Sequence, residues 1–177
     1  MIERLIALHQ LKGEQAQAFD ILVANSETFN WDIEWYERII SQGYELGNTA
    51  LVAQDLPSRD KYFTAGIEAF DKVQAGILHL TTLPEGQMAG AAFANTPGMI
   101  LNTGKMHFLL NQPEKASETL KIGLVEDLSD PTNREIARWY VAALMKQGLN
   151  DQAVLDRLLQ IDPTEKEQID TLVQSIN

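Results

Sequence analysis

The stretch Gly104–Pro131, GKMHFLLNQPEKASETLKIGLVEDLSDP, decides the fold. Met106, Leu109 and Leu110 lie on one face of a first helix, and Ala116, Leu120, Ile122 and Leu124 recur at near-helical spacing on a second. Between them Asn111-Gln112-Pro113 breaks the pattern. Pro113 suits a first helical turn, where its missing N–H costs nothing, and Asn111 or Gln112 ends the helix before it. The second helix is expected over Gln112–Leu128. Ala116 and Gly123 are small enough for two backbones to approach closely. One hairpin of this kind cannot bury both of its apolar faces, so the stretch predicts stacked copies of itself.

Composition supports a packed chain. Its 177 residues suit one domain or one short solenoid. A hydrophobic content of 45% and a charged content of 22% are enough to build a core. The net charge of -11 repels phosphate backbones, which argues against nucleic-acid binding and against docking on anionic lipid. The plainest reading of that charge is a solvated, self-repelling surface. Without cysteine there is no disulfide, thiol nucleophile or zinc-thiolate site. No apolar run approaches the ~18 residues of a membrane span, so no membrane insertion of this segment is expected. The N-terminus lacks the basic start and cleavage pattern of a signal peptide. It begins in mid-helix without capping residues, as expected of a piece of a longer protein.

Outward from the central hairpin, the chain divides into further ones. The first spans about 1–29: a helix from Met1 to Leu11 carrying Ile2, Leu5, Ile6 and Leu8, a stop at Gly13, and a partner over Gln15–Asn25 with Ala18, Phe19 and Leu22 inward. The second spans about 30–80. Asn30-Trp31-Asp32 opens its first helix, and Leu46-Gly47 reads as the stop. An extra turn at Thr49–Gln54 and a fresh start capped by Ser58 lead into a long helix, Arg59–Leu80. Residues 81–96 form a loop broken by Pro84, Gly86 and Gly90, with Leu83, Met88 and Phe93 packing it onto the body. Thr96-Pro97 starts the third hairpin, 97–130. The fourth, 131–162, is capped at Asp130-Pro131 and turned at Gly148 before Asn150-Asp151. A terminal helix over 164–176 carries a capping box, Thr164 with Glu167. No stretch reads as a strand. The predicted fold is all-α: about four stacked hairpins and a C-terminal capping helix.

Aligned by turn glycines and small residues, the hairpins resemble tetratricopeptide repeats. The third offers Ile100, Gly104, Phe108, Ala116, Leu120, Gly123 and Pro131; the fourth offers Tyr140, Leu144, Gly148, Ala153 and Pro163. The second offers Tyr36, Ile39, Tyr44, Gly47, Gly66, Phe70 and Val73, and the first Leu8, Gly13, Ala18 and Leu22. Gly66 stands where that family has alanine, and Val141 where it has a small residue. The resemblance implies a right-handed superhelix in which Gly104, Ala116, Gly148 and Ala153 let neighbouring helices nest. The strings FNWDIEWYE (Phe29–Glu37), LPEGQ (Leu83–Gln87) and DPTNREIARWYVAALMKQG (Asp130–Gly148) are similar to the C-terminal repeat region of bacterial membrane proteins of the O-antigen ligase/polymerase family. Those proteins move polymeric glycans from a lipid carrier. The catalytic residues of that family lie in its membrane part, so none carries over. What the resemblance implies is an extracytoplasmic appendage that recruits partners.

The residues themselves offer no catalytic constellation, and the chain is not read as an enzyme. His9, His79 and His107 stand at no metal-ligand spacing, and Glu126, Asp127 and Asp130 lack the glycine and alternating oxygens of a calcium loop. No serine lies in a nucleophile elbow, and Gly86, Gly90 and Gly98 form no phosphate loop. No metal or cofactor is expected. Two clusters, Trp31, Trp35, Tyr36 and Trp139, Tyr140, are open to two readings: a carbohydrate-stacking platform, or packing between hairpins with the polar edges at the rim. If first helices line a concave wall, the partner-binding groove is Glu34, Glu37 and Tyr44, then Leu101, Lys105 and Phe108, then Arg138 and Met145. That wall is acidic at one end, basic at the other and apolar between, and it suits an extended peptide or a helix. The expected function is a protein-interaction scaffold belonging to a larger membrane-bound protein. The alternatives are a free-standing cytoplasmic adaptor that binds a peptide and a carbohydrate-binding module.

Overall fold

The computed structural model describes residues 1–29, 32–82 and 93–175. Among these the only regular structure is helical, with nine α-helices, one short 3-10 turn and no strand. No described helix is long and apolar enough to cross a membrane. The chain divides into two compact units, Met1–Asn95 and Thr96–Asn177.

The first unit holds α1 (Ile2–Leu11), α2 (Gln15–Ala24), a 3-10 turn (Ser26–Phe29), α3 (Ile33–Val52) and α4 (Leu56–Thr81). Gly13, at φ +76°, reverses the chain after α1. Of α1 only Ile6 is fully buried, whereas α2 buries Ala18, Phe19 and Leu22. Asp32 caps α3 by accepting hydrogen bonds from the N–H groups of Glu34 and Trp35, at 3.1 and 3.2 Å. Gly47 is not the expected stop, because α3 runs on through it to Val52. Its role is close approach: a Cβ there would sit 2.3 Å from the ring of Phe63 on α4. Gly43 does the same one turn earlier, where a Cβ would lie 2.9 Å from the Tyr62 carbonyl oxygen and 3.3 Å from Gly66 Cα. The turn between these helices also differs from expectation. Gln54 takes φ 60°, and Asp55 rather than Ser58 is the cap, accepting from the Ser58 N–H at 3.2 Å. Phe93 is buried against Gly76, and Gln74 donates to the Asn95 side chain at 2.7 Å. Leu83, Pro84, Gly86, Met88, Gly90, Asn30 and Trp31 lie outside the described residues.

The second unit holds α5 (Pro97–Leu109), α6 (Pro113–Lys121), α7 (Pro131–Lys146), α8 (Gln152–Ile161) and α9 (Glu165–Gln174). Thr96 caps α5, accepting from the Met99 N–H at 3.2 Å, and Pro97 follows in the first turn. α5 is buried around most of its circumference, as an all-round apolar helix must be. Asn111, at φ 57°, turns the chain into α6. There Gly104 lets Leu120 in so closely that a Cβ would meet it at 2.3 Å. α6 stops at Lys121, short of the expected Leu128. The segment after it satisfies its carbonyls with arginines instead of helical N–H groups. Arg157 donates to the Val125 and Glu126 carbonyls, and Arg134 to those of Leu128 and Ser129, at 3.3–3.4 Å. Leu128 thereby reaches the core. Asp130 caps α7, accepting from Thr132 and Asn133 N–H at 2.8 and 3.1 Å, and Asp151 caps α8, accepting from Val154 N–H at 3.2 Å.

Two of the four small residues expected to nest helices do not. Gly148 has φ +72° and nothing within 4 Å of where its Cβ would be, so it is a turn residue; Ala153 is exposed. The capping box at Thr164 does not form either. Thr164 instead donates from both its N–H and its hydroxyl to Asp162, at 2.9 and 2.8 Å.

Candidate functional site

α7 packs on α5 and α6, and α9 packs chiefly on α7. Those neighbours bring four of the sequence-predicted groove residues into one row. Leu101, Lys105 and Phe108 stand on successive turns of α5, one face repeating every three or four residues. Phe108 meets Trp139 of α7 edge to face, with centroids 5.2 Å apart. The Lys105 Nζ lies 5.5 Å from the centroid of the same indole and donates to Glu135 at 2.5 Å. One turn along α7 from Glu135, the Arg138 guanidinium forks onto Glu165. Its Nε donates to Oε2 at 2.5 Å and its Nη2 to Oε1 at 2.7 Å.

This last pair fastens α9 to α7. Glu165 opens α9, and Ile169 one turn later enters the same apolar cluster as Trp139 and Ile136. The hydrogen bond from Arg138 to Glu165 is the main reason its guanidinium is held above its ordinary pKa, so it stays charged throughout the stable pH range. Between the two helices a cleft of about 380 Å³ opens, lined by Glu135, Arg138, Trp139, Glu167, Gln168, Thr171 and Leu172. Its floor is apolar at Trp139 and Leu172, and its walls carry charge. Met145 lies further along α7, partly buried against the core cluster.

The first-unit residues are placed on α3 alone. Glu34 is exposed in its first turn, Glu37 is half-buried, and Tyr44 is half-buried and stacked on Phe63 with centroids 6.4 Å apart. The described members of the aromatic clusters are drawn into packing. Trp35 stacks on Phe29 at 3.9 Å and donates its indole N–H to the Leu22 carbonyl at 3.0 Å. Tyr36, Trp139 and Tyr140 are buried too, and burial raises the pKa of both tyrosines. Of the histidines, His9 pairs with Glu14 at 2.7 Å and His107 with Gln112 at 3.0 Å. No group of histidine, aspartate and glutamate side chains among the described residues is arranged to hold a metal ion.

Sequence reasoning missed the α9 half of the cleft, Glu167, Gln168, Thr171 and Leu172, and the buried Glu165 that anchors it. Glu165 and Glu167 read as helix-start acids, which is common chemistry at an N-terminus. The signal that separates Glu165 from them is its register. It shares a face with Ile169 and Leu172 at helical spacing, and an acid on an apolar face calls for a cation opposite.

Comparison with known proteins finds no match: no family model, no curated protein and no solved structure matches this chain.

Proposed function

We propose that this chain is a protein-interaction scaffold whose inner wall receives a protein or peptide. In this reading the hairpins form a tetratricopeptide-like right-handed array in which α5, α7 and α9 are successive first helices. The observation that carries it is the cleft between α7 and α9. There an apolar floor is set beside Glu135 and Arg138, both already fixed by ion pairs. Walls fixed in advance lower the ordering cost of binding, which suits a recruiting surface. The burial of Trp35, Tyr36 and Tyr140, and the 9% of Trp139 left exposed on the cleft lining, favour a single apolar side chain over a sugar, because a carbohydrate platform needs a whole open ring face.

The resemblance of Phe29–Glu37, Leu83–Gln87 and Asp130–Gly148 supports a further step. The scaffold belongs to a larger membrane-bound protein of the O-antigen ligase/polymerase family, outside the cytoplasmic membrane, where cell-surface glycan is assembled. The reading frame upstream of Met1 tests this: many apolar spans agree with it, and a gene that starts at Met1 rejects it. The scaffold reading is tested by placing a photo-crosslinking amino acid at Gln168 in the cleft and, separately, at exposed Lys121 on α6, in the host cell. A protein adduct specific to Gln168, whose purified partner binds back to the chain, is expected. Adducts of glycan alone, or none, reject the reading.

A further inference from the structure

We infer that the α7–α9 cleft selects a basic segment: a short amphipathic stretch that lowers one bulky apolar side chain onto Trp139 and Leu172 and sets a lysine or arginine against Glu167. The inference rests on the scaffold reading and names its partner class.

The argument is one of which charges remain available. Arg138 is the cation that lines the cleft, and its Nε and Nη2 already donate to Glu165, a carboxylate with 1% of its side chain exposed. An acidic ligand would reach only the N–H groups that Glu165 leaves, on a cation whose charge that buried carboxylate already offsets. Lys105 is likewise held at Glu135 and over the Trp139 ring. With both cations engaged, Glu167 is an exposed carboxylate on the lining. Taking Glu135, Glu165 and Glu167 against Lys105 and Arg138, the site carries three acids and two bases, a net -1. The whole chain, at -11, adds an attractive field for a cationic partner. The same charge sets one copy of this chain against another. Lys105 also lies over the Trp139 ring, so the part of the indole that lines the cleft suits an apolar anchor better than a second cation. At about 380 Å³ the cleft is near the lower end of ordinary ligand clefts, room for an anchor side chain and its neighbour.

The test uses the full 177-residue chain and two fluorescein-labelled peptides of equal apolar content, LKKLLKKLLKKL and LEELLEELLEEL, followed by anisotropy. The lysine peptide is expected to bind with a Kd of about 10–100 μM and the glutamate peptide at least ~10-fold more weakly. Raising salt from low to high weakens the lysine peptide, as screening requires. Glu167→Lys, at an exposed position that leaves the helix content unchanged, is expected to weaken the lysine peptide ~5-fold or more, whereas Glu118→Lys on α6 changes it less than ~2-fold. Equal binding of the two peptides overturns the inference, as does an equal loss from both substitutions, which means diffuse attraction to an acidic surface. A concentration-dependent dimer broken by Glu167→Lys also overturns it, giving the cleft to a second copy. The crosslinking separates the two failures. A Gln168 partner that docks through an acidic segment ends this inference and leaves the scaffold standing, and the lack of any protein adduct ends the scaffold reading.

Discussion

Arg138 and Glu165, 27 residues apart, form a two-pronged ion pair at 2.5 and 2.7 Å that ties the last described helix to the one in the middle of its unit. Removing one partner of such a pair strands a desolvated charge, whereas replacing both with apolar groups of similar size does not. Because Arg138 keeps 22% of its side chain exposed, Glu165→Ala is expected to cost ~2–4 kcal/mol, toward the lower part of the range for buried pairs. The double variant Arg138→Met, Glu165→Leu should return to within ~1 kcal/mol of the parent chain. Urea unfolding of the parent, Arg138→Met, Glu165→Leu and their double variant in a double-mutant cycle reads the coupling. Hydrogen exchange across Glu165–Gln174 shows whether α9 frays first. Simple additivity of the two single substitutions would contradict the pairing.

Glycines at two kinds of position should respond differently to substitution. Gly43 faces the Tyr62 carbonyl at 2.9 Å from its missing Cβ, and backbone on a packed helix has nowhere to retreat. Gly43→Ala is therefore expected to destabilise by ~1–3 kcal/mol despite alanine's better helix propensity. Gly148 meets nothing and needs only its φ of +72°. Gly148→Asn, a residue that tolerates the left-handed region, should cost under ~1 kcal/mol, and Gly148→Val distinctly more. Thermal melts of the three variants rank them directly.

The contrast between these glycines shows what was legible in the sequence. Helix existence was readable from periodicity and caps: Asp32, Thr96, Asp130 and Asp151 each stand where the chain says a helix begins. What a small residue is for was not readable, because closeness is a property of two chains. Gly47 looked like a stop and is a contact with Phe63, and Gly148 and Ala153 looked like contacts and are not. The same limit hid half the cleft. Lys105, Phe108 and Arg138 are identifiable from the helix they ride on, whereas their partners Glu135, Trp139 and Glu165 follow only once α5, α7 and α9 are packed.

Thr103 gives a prediction of opposite sign. It is fully buried on α5, and its hydroxyl has no hydrogen-bond partner among the described residues. Thr103→Val keeps the β-branched shape and removes the unpaired hydroxyl. It should stabilise by ~1 kcal/mol, a rise in Tm of ~2–4 °C for a chain of this size. A fall in Tm measured by calorimetry would mean that the hydroxyl has a partner in solution.

Acid should loosen the helix junctions in a defined window. Hydrogen bonds from the Ser58 side chain and backbone hold the Asp55 carboxyl below its ordinary range, as Ser129 does for Asp127 and Thr164 for Asp162, with the backbone bond the larger cause in those two. A carboxylate whose folded pKa lies below its unfolded value of ~3.9 stabilises the fold above that pH, and loses the contribution as pH falls through the folded value. Stability measured by urea midpoint should therefore be level near neutrality and drop below about pH 4. Asparagine at all three positions keeps an oxygen acceptor for each turn yet cannot titrate, so the triple variant Asp55→Asn, Asp127→Asn, Asp162→Asn should show a shallower acid limb than the parent. An identical limb would mean that other carboxylates govern acid unfolding and that these three turns are indifferent to their charge.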